Sequence, residues 1–308
     1  MKKYIYIYNY APHEEELCQM EFRQIFQVPM TSKYFLTDQD FDYQRSVFIR
    51  GQIDIMSMSE DFDNIVKDIT NKQLYYHHFK VIYIKNEETH VDYQETLQRC
   101  KEAAFPIAGS VNMHKPQTTF AITKLHEQWI FGIYHDDMIW KQRYDKPHSY
   151  SHSLNIKDAR TLVNIAIGNH KEYSIVDPCC GVGTVVLEAL SMGLNIKGYD
   201  INRDVSYQAR LNLEHFGYDP LLIEKKDMHT IHQYYDVAIM DIPYGVYSPF
   251  TYEQKVSLIH ATTQFTKRLL LVSHESMNQA LKNEGYQIID QCTIKKSHFI
   301  RYMTLCQR

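Results

Sequence analysis

No apolar run in these 308 residues approaches the length of a membrane span, and the opening Met1-Lys-Lys-Tyr-Ile-Tyr-Ile is too short and too aromatic for a signal peptide. Neither is expected. The six cysteines, Cys18, Cys100, Cys179, Cys180, Cys292 and Cys306, contain no C-x-x-C pair, which argues against a zinc ribbon and for a reduced, cytoplasmic setting. No metal site is expected either, because the adjacent His77 and His78 cannot share one face of a strand. A basic excess is missing too. The net charge is −4, and neither half is basic when the chain is split at Asp145. Affinity for a polyanion would rest on local groups, Lys141, Arg143 and Lys146 or Lys295, Lys296 and Arg301, which are otherwise solvated faces.

What is present is a folded chain, 44% hydrophobic with mixed charge, and long enough for two domains. Tyr4–Tyr8 alternates like a strand, and His13–Phe26 has the apolar spacing of a helix. Strands are expected at Ser46–Ile49, Ile53–Met56 and Phe79–Ile84, and helices at Glu60–Ile69 and Tyr93–Phe105. Thr119–Lys124 and Gln128–Tyr134 read as a hairpin. This α+β region, residues 1–140, precedes a polar linker at 141–153 and a second domain at 154–308. There, strands alternate with helices as in a doubly wound sheet, until Tyr286–Ile294 and His298–Cys306 follow each other with no helix between them. Those last two must pair antiparallel.

The stretch from Ser174 to Ala189 reads as a buried strand, a glycine turn and a helix. Gly181 and Gly183 let backbone N–H groups approach a ligand at the helix N-terminus. The third glycine of a dinucleotide fingerprint is replaced by Val186, and the lysine of a P-loop is absent. Asp177, at the strand end, would repel a pyrophosphate and welcome an ammonium or sulfonium group. The next strand ends at Asp200, placed to accept hydrogen bonds from ribose hydroxyls. A ligand with a ribose and a cationic amino-acid end is S-adenosylmethionine. The adjacent Cys179 and Cys180 are small residues of a crowded turn rather than a redox pair.

A second motif, Asp241-Ile-Pro-Tyr-Gly245, stands where a later strand stops. A base amine is a poor nucleophile, because its lone pair is delocalised into the ring. The Asp241 carboxylate and the Ile242 carbonyl can accept its two hydrogens, while Pro243 stiffens the turn and Tyr244 stacks on the base. Taken alone, the motif reads equally as an aspartate capping a proline turn.

Together, Asp177-Pro-Cys-Cys-Gly-Val-Gly-Thr184, Gly198-Tyr-Asp-Ile-Asn202 and Asp241-Ile-Pro-Tyr-Gly245 resemble the tRNA guanine-N2-methyltransferases that carry a THUMP domain. Lys146-Pro-His148 and Ala159–Asn164 are similar to the segment that leads into that family's catalytic domain. Ser110–Pro116 with the following hairpin resembles the end of a THUMP domain, the module that grips the tRNA acceptor end. The resemblance implies a Rossmann-like class I methyltransferase domain, mostly parallel and ending in an antiparallel hairpin, behind a ferredoxin-like and THUMP-like region. It implies tRNA as partner, no membrane association, and cofactor contacts from Asp177, Cys179, Gly181, Gly183, Thr184, Asp200, Ile201, Asp227 and Met228. Asp227 also reads as an ordinary helix N-cap. Two departures stand out: Ile242 replaces the first proline of the family's usual Asp-Pro-Pro-Tyr, and the basic excess is absent. N6-methylation of adenine, or a vestigial RNA-binding partner, remain open alternatives, as do a small activator subunit and the oligomeric state.

Overall fold

The computed structural model describes residues 2–137, 146–149, 154–243, 250–296 and 299–308. Two compact units emerge. Met1–Asn9, Thr31–Gln44 and Phe48–Met138 form one, and Tyr10–Met30, Arg45–Val47 and Ile139–Arg308 the other. The division at 138 lies near the boundary read from the sequence, but residues 10–30 and 45–47 belong with the later part of the chain. Residues 141–145 and 150–153 of the expected linker lie outside the described residues.

Strand β1 (Tyr4–Tyr8) is followed by helix α1 (Glu15–Phe26), β2 (Tyr34–Thr37), β3 (Ile49–Ser59), α2 (Phe62–Asn71), β4 (Tyr75–Tyr83), α3 (Tyr93–Ala104) and β5 (Ala108–Val111). The hairpin β6 (Thr118–Leu125) and β7 (Gln128–His135) completes the set. Without α1, these form the first unit, one sheet in the order β2-β1-β3-β7-β6-β4-β5. Its core gathers Ile65 and Ile69 of α2 with Phe79, Phe120, Trp129 and Phe131 of the sheet. His126 and Glu127 both take positive φ, 47° and 63°, the two-residue turn that matches the twist of paired strands. The two strands expected at 46–49 and 53–56 are instead the single β3, bulged between Ile55 and Ser57. Ser46 lies outside it, because its hydroxyl donates to Glu21 of α1.

In the second unit the order of elements is α4 (Ile156–Ile167), β8 (Ser174–Asp177), α5 (Thr184–Ser191), β9 (Asn195–Asp200), α6 (Arg203–His215) and β10 (Ile223–Lys225). Then come β11 (Tyr235–Asp241), α7 (Tyr252–Thr262), β12 (Thr266–Ser273), α8 (Asn278–Asn283), β13 (Gln287–Lys296) and β14 (Phe299–Gln307). The sheet order is β10-β9-β8-β11-β12-β14-β13. β8 to β12 run parallel, and β14 joins them antiparallel, with Leu270 opposite Leu305. The expected hairpin is therefore present, β13 pairing antiparallel with β14. Because β8 has β9 on one side and β11 on the other, the strand order reverses there, which opens a crevice at the carboxyl ends of these three strands.

Helix α1 joins this unit through a buried polar cluster. Glu21 is wholly buried and accepts from the Ser46 hydroxyl and, at 2.7 Å, from the Asn164 side-chain amide of α4. Arg45 reaches the Gly168 carbonyl at 3.0 Å, and Arg160 pairs with Glu188 of α5 at 3.0 Å. Buried groups must be satisfied in this way, and only residues distant in sequence supply the partners. Burial pushes the Glu21 carboxyl up to about 7, the hydrogen bonds and the two arginines opposing it. The folded state therefore holds a proton that the unfolded chain releases near the ordinary value of 4.5. The resulting stability is fully present below that value and is lost as pH rises toward 7. Thermal melts should accordingly show stability falling from pH 5 to pH 8, by on the order of 2 kcal/mol from this group. Glu21→Gln, which keeps an acceptor for Ser46, should flatten that part of the profile; an unchanged slope would place the proton elsewhere.

Candidate active site

Three aspartates end three adjacent strands: Asp177 on β8, Asp200 on β9 and Asp241 on β11. Asp177 is 4% exposed, and its Oδ1 accepts the Cys179 N–H at 3.2 Å. Burial, helped by the charges of Asp241 and Asp200, raises its carboxyl well above the usual range. Asp200 is raised by burial and relieved by two backbone donors, Gly181 N–H at 2.9 Å and Asn202 N–H at 2.8 Å. Such a cluster is an electrostatic debt that a bound cation removes. Burial, then the same three carboxylates, also keeps the Cys179 thiol protonated, which fits a packing role rather than a redox one.

The glycine turn is held from both sides. Cys180 N–H donates to the Tyr199 carbonyl at 2.8 Å, and Gly183 N–H to Cys180 at 2.8 Å. Gly181 has φ +54°, and a Cβ there would meet nothing within 4 Å, so its surface is open to a ligand. Gly183 differs: at φ +81° it caps α5, and a Cβ would lie 3.4 Å from Ala209 of α6. Its requirement is for a backbone conformation and close helix packing. Asn212, buried on α6, ties this turn to the segment before the domain. Its amide donates to Val182 and His148 carbonyls at 3.0 and 2.9 Å, and its oxygen accepts the His148 N–H at 3.0 Å.

A cleft of ≈ 280 Å³ opens over this edge. Among the residues expected to hold a cofactor, Cys179, Asp200, Ile201, Asp227 and Met228 line it, and so does Pro243 of the second motif. Ile201 is 66% exposed, an apolar side chain on the lip. Met228 is buried, its sulfur 3.7 Å from that of Cys179. Asp227 caps the short turn after β10, accepting from the His229 N–H at 3.0 Å and approaching His229 Nδ1 at 2.8 Å. Those bonds hold its carboxyl below the ordinary value, so it is both the N-cap and a wall of the cleft.

Asp177, Gly181, Gly183 and Thr184 are not among the lining residues, and Thr184 is engaged elsewhere. Its hydroxyl accepts from the half-buried Lys146 ammonium at 2.7 Å, beside Glu188. Burial lowers the Lys146 pKa, and Glu188 opposes that shift. Ile242 is buried, and its N–H donates to Val272 of β12 at 3.0 Å, extending the parallel ladder by one bond. A proline at this position has no such donor. Tyr244, Lys141 and Arg143 lie outside the described residues.

Several lining residues carried no signal in the sequence. Phe250 and the α7 residues Gln254, Ser257 and Leu258 complete the wall. Their i, i+3, i+4 spacing marks one helix face, but only the docking of α7 turns it toward the cleft. Thr251 and Gln254 form a capping box that fixes where α7 starts, with the Gln254 side chain accepting the Thr251 N–H at 2.8 Å.

Comparison with known proteins decides what this edge belongs to. Residues 143–284 match the RMKL-like methyltransferase domain family. This segment is a methyltransferase domain. Over 143 residues the chain is 27% identical to a tRNA (guanine(10)-N2)-dimethyltransferase of Methanothermobacter thermautotrophicus, 44% of this chain and 42% of that one. Over 145 residues it is 29% identical to a protein of the same name from Pyrococcus abyssi, again 44% of this chain and 43% of that one. The match thus spans less than half the length of either relative. TrmN from Thermus thermophilus is similar in structure, with a TM-score of 0.49 at 12% identity, over 99% of this chain and 100% of that one.

The cleft of the methyltransferase domain suits S-adenosylmethionine on its own chemistry. Asp177, just before the lining residues Pro178 and Cys179, is a buried carboxyl raised by its surroundings, Gly181 leaves open space where a Cβ would stand, and Asp200 and Ile201 line the cleft itself. If a cation relieves the carboxylate cluster, Asp177→Asn should stabilise the ligand-free protein while weakening cofactor binding. Melting should rise by about 2–4 °C at neutral pH. Calorimetry should show S-adenosylmethionine binding at least about tenfold more weakly. A variant that gains stability and loses no affinity would remove Asp177 from the site.

Proposed function

We propose that the chain is an S-adenosylmethionine-dependent methyltransferase acting on the exocyclic N2 of a guanosine in tRNA. The observation that carries this reading is the position of Asp241-Ile242-Pro243. It lies at the carboxyl end of β11, beside the strand that bears Asp177, and Pro243 lines the cofactor cleft. The names of the two archaeal relatives, matched over this same half of the chain, support tRNA and guanine N2 as the substrate. Bound in the cleft, the cofactor supplies an electrophilic methyl group.

The chain's own residues then act on the acceptor. Asp241 accepts one hydrogen of the amine and receives the proton as the nitrogen acquires positive charge. The Ile242 carbonyl takes the other hydrogen, on a backbone fixed by the bond from Ile242 N–H to Val272 and by the ring of Pro243. Ile242 thus meets the chemical need that proline meets in the more usual motif. Asp177, Asp200 and Gly181 serve the cofactor, with Cys179, Ile201, Asp227 and Met228 completing its walls and Gly183 and Thr184 supporting the turn.

Asp241→Ala should lower methyl transfer by about two to three orders of magnitude while leaving S-adenosylmethionine binding in place. Nucleoside mass spectrometry of tRNA from a strain lacking the protein should show N2-methylguanosine lost. Loss of N6-methyladenosine instead would move the reaction to adenine, and retained activity in the variant would overturn the assignment of Asp241.

A further inference from the structure

A second cavity, ≈ 150 Å³, shares Pro243 and Phe250 with the cofactor cleft and is otherwise lined by Ile242, Lys255 and the turn 273–275. It has room for one planar ring system, and Ile242 and Pro243 of the Asp241-Ile242-Pro243 motif stand in its wall. Resting on the reading of this site as a guanine N2-methyltransferase, we propose that this cavity receives the acceptor base and that Lys255 and Glu275 together read the Watson–Crick edge of guanine.

The turn after β12 is built to hold its position. The buried Ser273 hydroxyl donates to the Glu275 carbonyl at 2.7 Å, and His274 Nδ1 donates to the Ile300 carbonyl of β14 at 3.1 Å. The half-exposed Glu275 carboxylate pairs with the ammonium of Lys255, which stands on the first turn of α7 behind the Thr251 capping box. The wall therefore offers a donor next to an acceptor. An ion pair so close to the surface adds little to stability, so exchanging it for contacts to a base costs the fold little.

Guanine presents along one edge an acceptor at O6, a donor at N1–H and two donors at the N2 amine. Lys255 matches O6 and Glu275 matches N1–H, while Asp241 takes the amine. Adenine inverts the central position: its N1 is an acceptor and would face the Glu275 carboxylate across two sets of lone pairs. An unmatched polar contact of that kind is costly once the base is out of water. Discrimination thus comes from a residue pair outside the motif, which explains how one motif can serve different planar amines.

The test compares tRNA carrying guanosine with tRNA carrying 2-aminopurine riboside at the methylated position, using the full chain. 2-Aminopurine keeps the N2 amine but lacks O6 and N1–H. The unaltered protein should prefer guanosine by about 10- to 100-fold in kcat/KM. Glu275→Gln, whose amide can accept from N1–H or donate to N1, should narrow that preference to about threefold or less. Its affinity for S-adenosylmethionine, set on the other side of Pro243, should stay within about twofold and so report a folded protein. Formation of N2-methylguanosine with the full preference retained in the variant would overturn the pocket and leave the activity standing. An unaltered protein that uses both bases equally would do the same. Failure of the unaltered protein to methylate guanosine N2 would overturn both.

Discussion

Burial of carboxylates at the carboxyl edge of the parallel sheet, with neighbouring charge adding to it at Asp177, is the constraint on which the second unit depends. β8, β9 and β11 are neighbours, so the parallel topology itself brings the ends of these strands, at Asp177, Asp200 and Asp241, to one side of the sheet. Asp177 is buried there with its carboxyl pushed well up. A phosphate-binding edge would be built the other way, with glycines and a lysine around an anion. Here the glycine turn remains and the charge is inverted, which makes the same fold select a cationic nucleoside.

The rest of the unit holds that edge still. Gly181 and Asn202 donate their backbone N–H groups to Asp200, Asn212 laces the turn to the segment at 146–149, and the capping box starts α7 where Gln254 and Ser257 face the cleft. The Ile242 N–H, absent from a proline, lengthens the ladder with β12 and so stiffens the turn by hydrogen bonding rather than by a ring. Helix α1, from far upstream, is drawn in through Glu21, Ser46 and Asn164. Among the described residues, no helix is long and apolar enough to cross a membrane.

Much of this was legible beforehand, and the misses have physical causes. The strand, turn and helix around Asp177 announce themselves through a buried apolar run, and the closing hairpin β13–β14 through two strand-like stretches with no helix between them. β2 and β5 have four residues each, too few for alternation to register. That α1 belongs with the second unit was hidden, since its partners are a serine and an asparagine whose proximity only the fold creates. Within the site, the strand-end residue Asp200 could be placed from order alone, whereas Met228, in the turn after β10, was an expectation from the family resemblance. Thr184 could not, because a hydroxyl at a helix start may turn to ligand or neighbour, and here it meets Lys146. Phe250, Lys255 and Glu275 depend on how α7 docks and where β12 ends, which no local spacing encodes.

Selection of a cationic ligand by these carboxylates is measured directly by comparing two ligands that share an adenosine. S-Adenosylmethionine carries the sulfonium and ammonium charges, and 5′-methylthioadenosine carries neither. Titration calorimetry on the full chain at neutral pH should find S-adenosylmethionine at least about tenfold tighter, with the difference shrinking as pH is lowered and Asp177 is neutralised. Equal affinities, or a difference unmoved by pH, would show that the crowded carboxylates do not choose the ligand.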